Sequence, residues 1–145
     1  SSNNISIDDK NIRFLPLKED FNILVVDDQK NNREYLKGCL TKIGFHVFEA
    51  ANGEQAVQTW QEIKPRFIWI DIAMKGDGDG INAVQQIRKL ELELDKTFNE
   101  NLSENLVPTI IIGLTGSVAK EQFHYSRKFG FDDIVSKPIL LRKME

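Results

Sequence analysis

Two apolar rhythms alternate along this chain. Ile23-Leu24-Val25-Val26, Phe67-Ile68-Trp69-Ile70 and Ile110-Ile111-Ile112 are unbroken apolar runs. Runs this short suit strands buried on both faces. They predict strands at 22–26, 67–70 and 109–114, with a further one at 131–136. A more exposed strand is expected at 45–49. Between these, apolar residues recur at helical spacing. One stripe is Leu36, Cys39, Leu40 and Ile43; a second is Ala56, Val57, Trp60 and Ile63. A third is Ile81, Val84, Ile87 and either Leu90 or Leu92.

The breaks between elements carry recognisable signals. Asn31 followed by Glu34 has the spacing of a capping box, and Gly44 stops that helix. Asn52-Gly53 forms a turn, and Pro65 ends the second helix. The polar stretch 95–106 reads as an insertion or a fraying helix end. A fourth helix is expected over 117–129, closed by Gly130, and a short last helix after Lys137-Pro138. Strands thus alternate with helices five times, without an internal repeat. This pattern predicts an α/β fold, a parallel sheet with helices on both faces joined by right-handed crossovers.

Composition changes that picture little. The 145 residues suit one domain, read as 21–145 behind a polar linker at 1–20. The chain opens Ser1-Ser2-Asn3-Asn4 without Met, so a piece of a longer polypeptide is expected. A net charge of -3 argues against a strongly basic nucleic-acid surface. The single Cys39 rules out an internal disulfide and reads as a buried structural thiol. No apolar stretch is long enough to span a bilayer and no signal peptide opens the chain, so a cytoplasmic protein is expected.

The candidate chemistry lies at strand ends. Asp27-Asp28, Asp71, Thr115 and Lys137 each follow a predicted strand. In a parallel sheet these ends share one edge, where ligands bind. Three clustered carboxylates repel one another, and a hard cation removes the conflict. Mg2+ takes oxygen ligands and works with one or two carboxylates and a phosphate. Zn2+ does not suit a chain lacking Cys and His at ligand spacing. Mg2+, a carboxylate and a lysine together equip a site for phosphoryl transfer.

On these residues the chain resembles the receiver domain of a two-component response regulator. The matching motifs are Asp27-Asp28, Asp71, Thr115 in G-L-T-G, and Lys137-Pro138 after F-D-D-I-V-S. The resemblance implies a flavodoxin-like, doubly wound five-stranded sheet in the order 2-1-3-4-5. It implies that Asp71 is the phosphoacceptor within the metal site and Asp28 a direct Mg2+ ligand, with Asp27 supporting it partly through water. The backbone carbonyl of Ala73 would complete the protein ligands. Thr115 would close onto the phosphoryl group and Lys137 would pair with it. Gly116 leaves access to the acyl phosphate, and Lys137-Pro138 is a candidate cis bond. The implied partner is a histidine kinase or a histidine phosphotransfer domain, with self-association a further option. No nucleic-acid or membrane contact is implied for this domain, and the parent resembles a hybrid histidine kinase.

Three positions depart from the family pattern. Met74 is followed by Lys75 in place of Pro, the loop carries Gly76-Asp77-Gly78-Asp79-Gly80, and Ile134 stands where the family has Tyr or Phe. Glycines make that loop mobile by expectation. Switching must then run through Thr115 and the loop and helix after it. His46 and His124 read as surface or packing residues, and the Lys120-Glu121 and Arg127-Lys128 pairs as solvated helix faces. Two rival readings are a pseudo-receiver that is never phosphorylated and a Mg2+-dependent Asp-nucleophile phosphatase. The phosphatase needs an acid-base Asp where this chain has Ala73.

Overall fold

The computed structural model describes residues 21–74, 79–100, 107–116 and 127–136. In chain order the elements are β1 (Asn22–Val26), α1 (Lys30–Ile43), β2 (His46–Ala50), α2 (Gly53–Ile63), β3 (Phe67–Asp71), α3 (Asp79–Glu100), β4 (Ile110–Thr115) and β5 (Asp133–Ser136). The linker expected at 1–20, residues 117–126 of the helix expected over 117–129 (with His124 and Lys120-Glu121), Lys137-Pro138 and the last helix expected after them lie outside the described residues. So do 75–78 and 101–106. Residues 127–129, expected as the end of the fourth helix, form a turn.

All strand pairings are parallel, in the order β2-β1-β3-β4-β5. The parallel sheet that the apolar runs predicted is present, in the flavodoxin-like order that the resemblance implied. Alternate strand residues feed two cores. Leu24, Val26, Ile68, Ile70 and Ile111 pack with Ala56 and Trp60 of α2 and with Val84 and Ile87 of α3. Ile23, Val25, Trp69, Ile112 and Leu114 pack on the other face with Leu36 and Leu40 of α1. Helices thus cover both faces. Ile134 is buried in the first core, beside Phe131.

Several boundaries differ from the expectation. β2 spans 46–50 and β4 spans 110–115, each one residue later. β5 begins at Asp133 rather than 131. Its entry is taken over by Asp132, whose carboxylate accepts Ile111 N–H at 2.7 Å while its own N–H donates to Ile111 O at 2.8 Å. The capping box at Asn31 and Glu34 does not form. α1 starts two residues earlier than that cap implies, with Gln29 at the N-cap and no side-chain cap bond. α3 runs to Glu100, so the first half of the stretch read as an insertion or a fraying helix end is the end of a helix, the second of those readings. Leu90 packs on the core, whereas Leu92 is 64% exposed. Cys39 is half-buried rather than buried.

Other breaks follow the sequence. Gly44 closes α1 at φ 123°. Asn52 caps α2 by accepting Gln55 N–H at 2.8 Å, and the Gln55 side chain returns to Ala51 N–H at 2.9 Å. Lys64 ends α2 in the left-handed conformation before Pro65. Residues 127–130 form a turn ending at Gly130, φ 107°. There a Cβ would sit 2.8 Å from Arg88 Cγ.

A buried polar network holds the edge of the sheet where the strands begin. Arg88 of α3 donates to Gly130 O, Thr109 O, Glu91 Oε1 and Asp132 Oδ2, each at 2.8 Å. Glu91 Oε2 accepts Thr109 N–H at 2.7 Å, and Trp60 Nε1 donates to Thr109 Oγ1 at 2.9 Å. This fastens α2, α3 and the start of β4 at the end opposite the predicted site.

Candidate functional site

β1 and β3 are adjacent and in register, Val26 opposite Ile70. Each strand is followed by carboxylates at the sheet's C-terminal edge. Asp27 N–H extends the β1–β2 ladder by donating to Ala50 O at 3.1 Å. Its Oδ1 accepts Gln29 N–H at 2.9 Å, turning the chain into α1. At the end of β3, Asp71 Oδ1 accepts Ala73 N–H at 3.0 Å. Such short side-chain-to-backbone bonds are what Asp makes at a turn. Here they also fix the carboxylate rotamers.

One carboxylate oxygen from each of Asp27, Asp28 and Asp71 lies within 4.8 Å of the others. Asp27 and Asp71 are each 4% exposed, and Asp28 is the most open of the three. The donors are all oxygen, which is the preference of Mg2+ or Ca2+. Octahedral Mg2+ sets neighbouring ligand oxygens about 3 Å apart and opposite ones about 4 Å apart. The observed spacing fits that cation with small adjustment. The trio expected from the sequence is thus brought together.

Thr115 closes β4 and is 4% exposed. Asp71 registers with Leu114 and Thr115 with Ser136, so the hydroxyl belongs to the same edge. A Cβ on Gly116 would meet no heavy atom within 4 Å among the described residues, which keeps that side open. Lys137 follows Ser136 directly and lies outside the described residues. Ala73 sits two residues beyond Asp71 with its N–H already bonded there.

Four residues at this edge went unread in the sequence. Arg33 Nη1 donates to Asp27 O at 2.8 Å, and its Nε to Glu49 Oε1 at 2.9 Å. Lys37 Nζ reaches Glu49 Oε2 at 3.0 Å. Lys37 holds the Glu49 carboxyl below its ordinary range; burial opposes this, and Arg33 adds to the lowering. Asp79, opening α3, accepts Gly53 N–H at 2.8 Å and so ties the first turns of two helices. A Cβ on Gly53 would fall 2.7 Å from Asp79 O, and one on Gly80 2.9 Å from Asp71 O. Both positions therefore need glycine. An Asp-Gly pair just ahead of an apolar stripe is the sequence signal for Asp79. Arg33 and Glu49 lie 16 residues apart and carry no local signal.

Comparison with known proteins gives a consistent result. A family model described as the response regulator receiver domain matches residues 23–145. The chemotaxis protein CheY of Thermotoga maritima is 40% identical over 70 residues, 48% of this chain and 58% of that protein. The peroxide stress-activated histidine kinase mak1 of Schizosaccharomyces pombe is 30% identical over 142 residues, 94% of this chain but 8% of the kinase. This chain therefore spans a fraction of the length of these relatives. A co-crystal structure of the Saccharomyces cerevisiae phosphotransfer protein Ypd1 with the receiver domain of Ssk1 superposes with a TM-score of 0.72 at 29% identity. It covers 83% of this chain and 80% of that one.

Proposed function

The chain belongs to the response regulator receiver domain family of two-component signalling, and on that premise we propose that Asp71 is its phosphoacceptor. The observation that carries this is the convergence of three carboxylates, two of them buried, at the C-terminal edge of the sheet. Asp27 and Asp28 with the backbone carbonyl of Ala73 would hold Mg2+. When bound, Mg2+ supplies positive charge to the phosphoryl oxygens.

In the proposed step a carboxylate oxygen of Asp71 attacks phosphorus in line. The new bond is Oδ–P; the bond broken is N–P of a phosphohistidine, whose imidazole nitrogen departs with the electron pair. Thr115 donates its hydroxyl to a phosphoryl oxygen, and Lys137 pairs with another. Water later attacks the acyl phosphate, returning the carboxylate and releasing inorganic phosphate. The domain thus catalyses its own modification, and the phosphorylated state shifts an existing equilibrium. With Ile134 buried in place of an aromatic switch, the shift starts at Thr115.

The donor in this reading is a histidine kinase or a histidine phosphotransfer domain, supported by the likeness to a receiver crystallised with such a protein. A hybrid histidine kinase as parent is supported by the match to mak1 along 94% of this chain. A cytoplasmic location belongs to the same reading.

Intact mass after incubation with Mg2+ and a small acyl-phosphate donor tests it. The parent gains one phosphoryl group and Asp71→Asn gains none. An equal gain in both proteins moves the acceptor elsewhere. No gain together with no Mg2+ binding supports the pseudo-receiver instead.

A further inference from the structure

Resting on the Mg2+ reading above, we infer that Arg33 is a positioning residue for that site, acting through the peptide that joins Asp27 to Asp28. Its guanidinium makes two directed contacts, Nη1 to Asp27 O at 2.8 Å and Nε to Glu49 Oε1 at 2.9 Å. The group is planar and rigid, so anchoring one edge on Glu49 aims the other at the carbonyl. Glu49 is itself fixed within β2, in register with Val25 of β1. The Arg33 side chain is 16% exposed, so solvent screens these contacts weakly.

A peptide unit is planar. The direction of the Asp27 carbonyl therefore fixes the direction of Asp28 N–H and the place of the Asp28 Cα. The other side of Asp27 is fixed by its N–H bond to Ala50 O. Asp27 is held by the sheet on one side and by α1 on the other, and Asp28 hangs from that plane. Asp28 is also the most exposed of the three carboxylates, so core packing constrains it least. Arg33 does for the ligand backbone what outer-shell partners do for ligand side chains: it fixes the donor before the cation arrives.

The test is Mg2+ titration calorimetry on the parent, Arg33→Ala, Arg33→Lys and Lys37→Ala, with the metal-free melting temperature of each. Arg33→Ala should weaken Mg2+ binding about tenfold, the low end for loss of an outer-shell partner. Arg33→Lys keeps the charge beside Glu49 but offers one nitrogen where two are used, so it should also weaken binding. Lys37→Ala, which touches Glu49 from the exposed side, should stay within about twofold of the parent. A purely structural role would lower the melting temperature and leave the Mg2+ affinity unchanged. Parent affinity in the folded Arg33 variants, or an equal loss in Lys37→Ala, overturns the inference. If Arg33→Ala does not fold, Arg33→Lys decides it alone. A parent that binds no Mg2+ overturns the metal reading itself, which is a different result from Arg33 variants that bind like the parent.

Discussion

At Glu49 a carboxylate meets two cations, Arg33 at 2.9 Å and Lys37 at 3.0 Å. Its folded pKa lies below the ordinary value of 4.5, chiefly through the Lys37 hydrogen bond, against opposition from burial. A depressed carboxyl stabilises the fold fully above its unfolded pKa and loses that contribution as pH falls through the folded one. Parent and Glu49→Gln should therefore differ in unfolding free energy near neutral pH. Their difference should shrink as pH drops below 4.5 toward the folded pKa. Urea unfolding of both proteins across that range checks it, and a constant gap would remove the linkage. The Asp27, Asp28 and Asp71 trio was legible in the sequence because each acid directly follows an apolar run, and the sheet makes those ends neighbours. Arg33 and Glu49 were not, because their meeting depends on how α1 lies against β2.

α3 shows how far local pattern reaches. Its stripe Ile81, Val84, Ile87 and Leu90 was readable, but its length was not. From Asp95 on, the apolar stripe gives out, and Asp95, Thr97, Phe98 and Asn99 have little intrinsic preference for helix, so the pattern ended before the element did. The start of α1 failed for the opposite reason. Asn31 and Glu34 match a cap by spacing, yet the chain turns two residues earlier, where Asp27 Oδ1 takes Gln29 N–H. Strand ends slipped by a residue because a ladder ends where its partner does. Arg88 is the tertiary counterpart, joining α3 to the start of β4 and to the approach to β5 through three bonds, with a fourth to Glu91 of its own helix. Arg88→Met keeps the stem but leaves Glu91, 9% exposed, without its cation. Breaking such a pair should cost about 3 kcal/mol. Urea denaturation measures this, and a loss under about 1 kcal/mol would mean that water replaces the guanidinium.

For the whole molecule, the two polar systems occupy opposite edges of one sheet. The Arg88 network sets one cation between two carboxylates and is bonded internally, whereas the acidic trio is a concentration of like charge that a cation would relieve. Mg2+ at about 100 times its dissociation constant should raise the unfolding free energy by about 2.7 kcal/mol. Asp28→Asn should be more stable than the parent without metal and gain little when it is added. Thermal melts with and without Mg2+ check both, and an equal gain in the variant would place the cation elsewhere. The strand order carries a consequence for biosynthesis. β1 lies between β2 and β3, so the three central carboxylates all belong to the chain up to Asp71. On the ribosome, where synthesis runs from the N-terminus, the half that carries the acidic trio is made before Thr115 emerges. Charge is gathered first, and the hydroxyl edge is added to it afterwards.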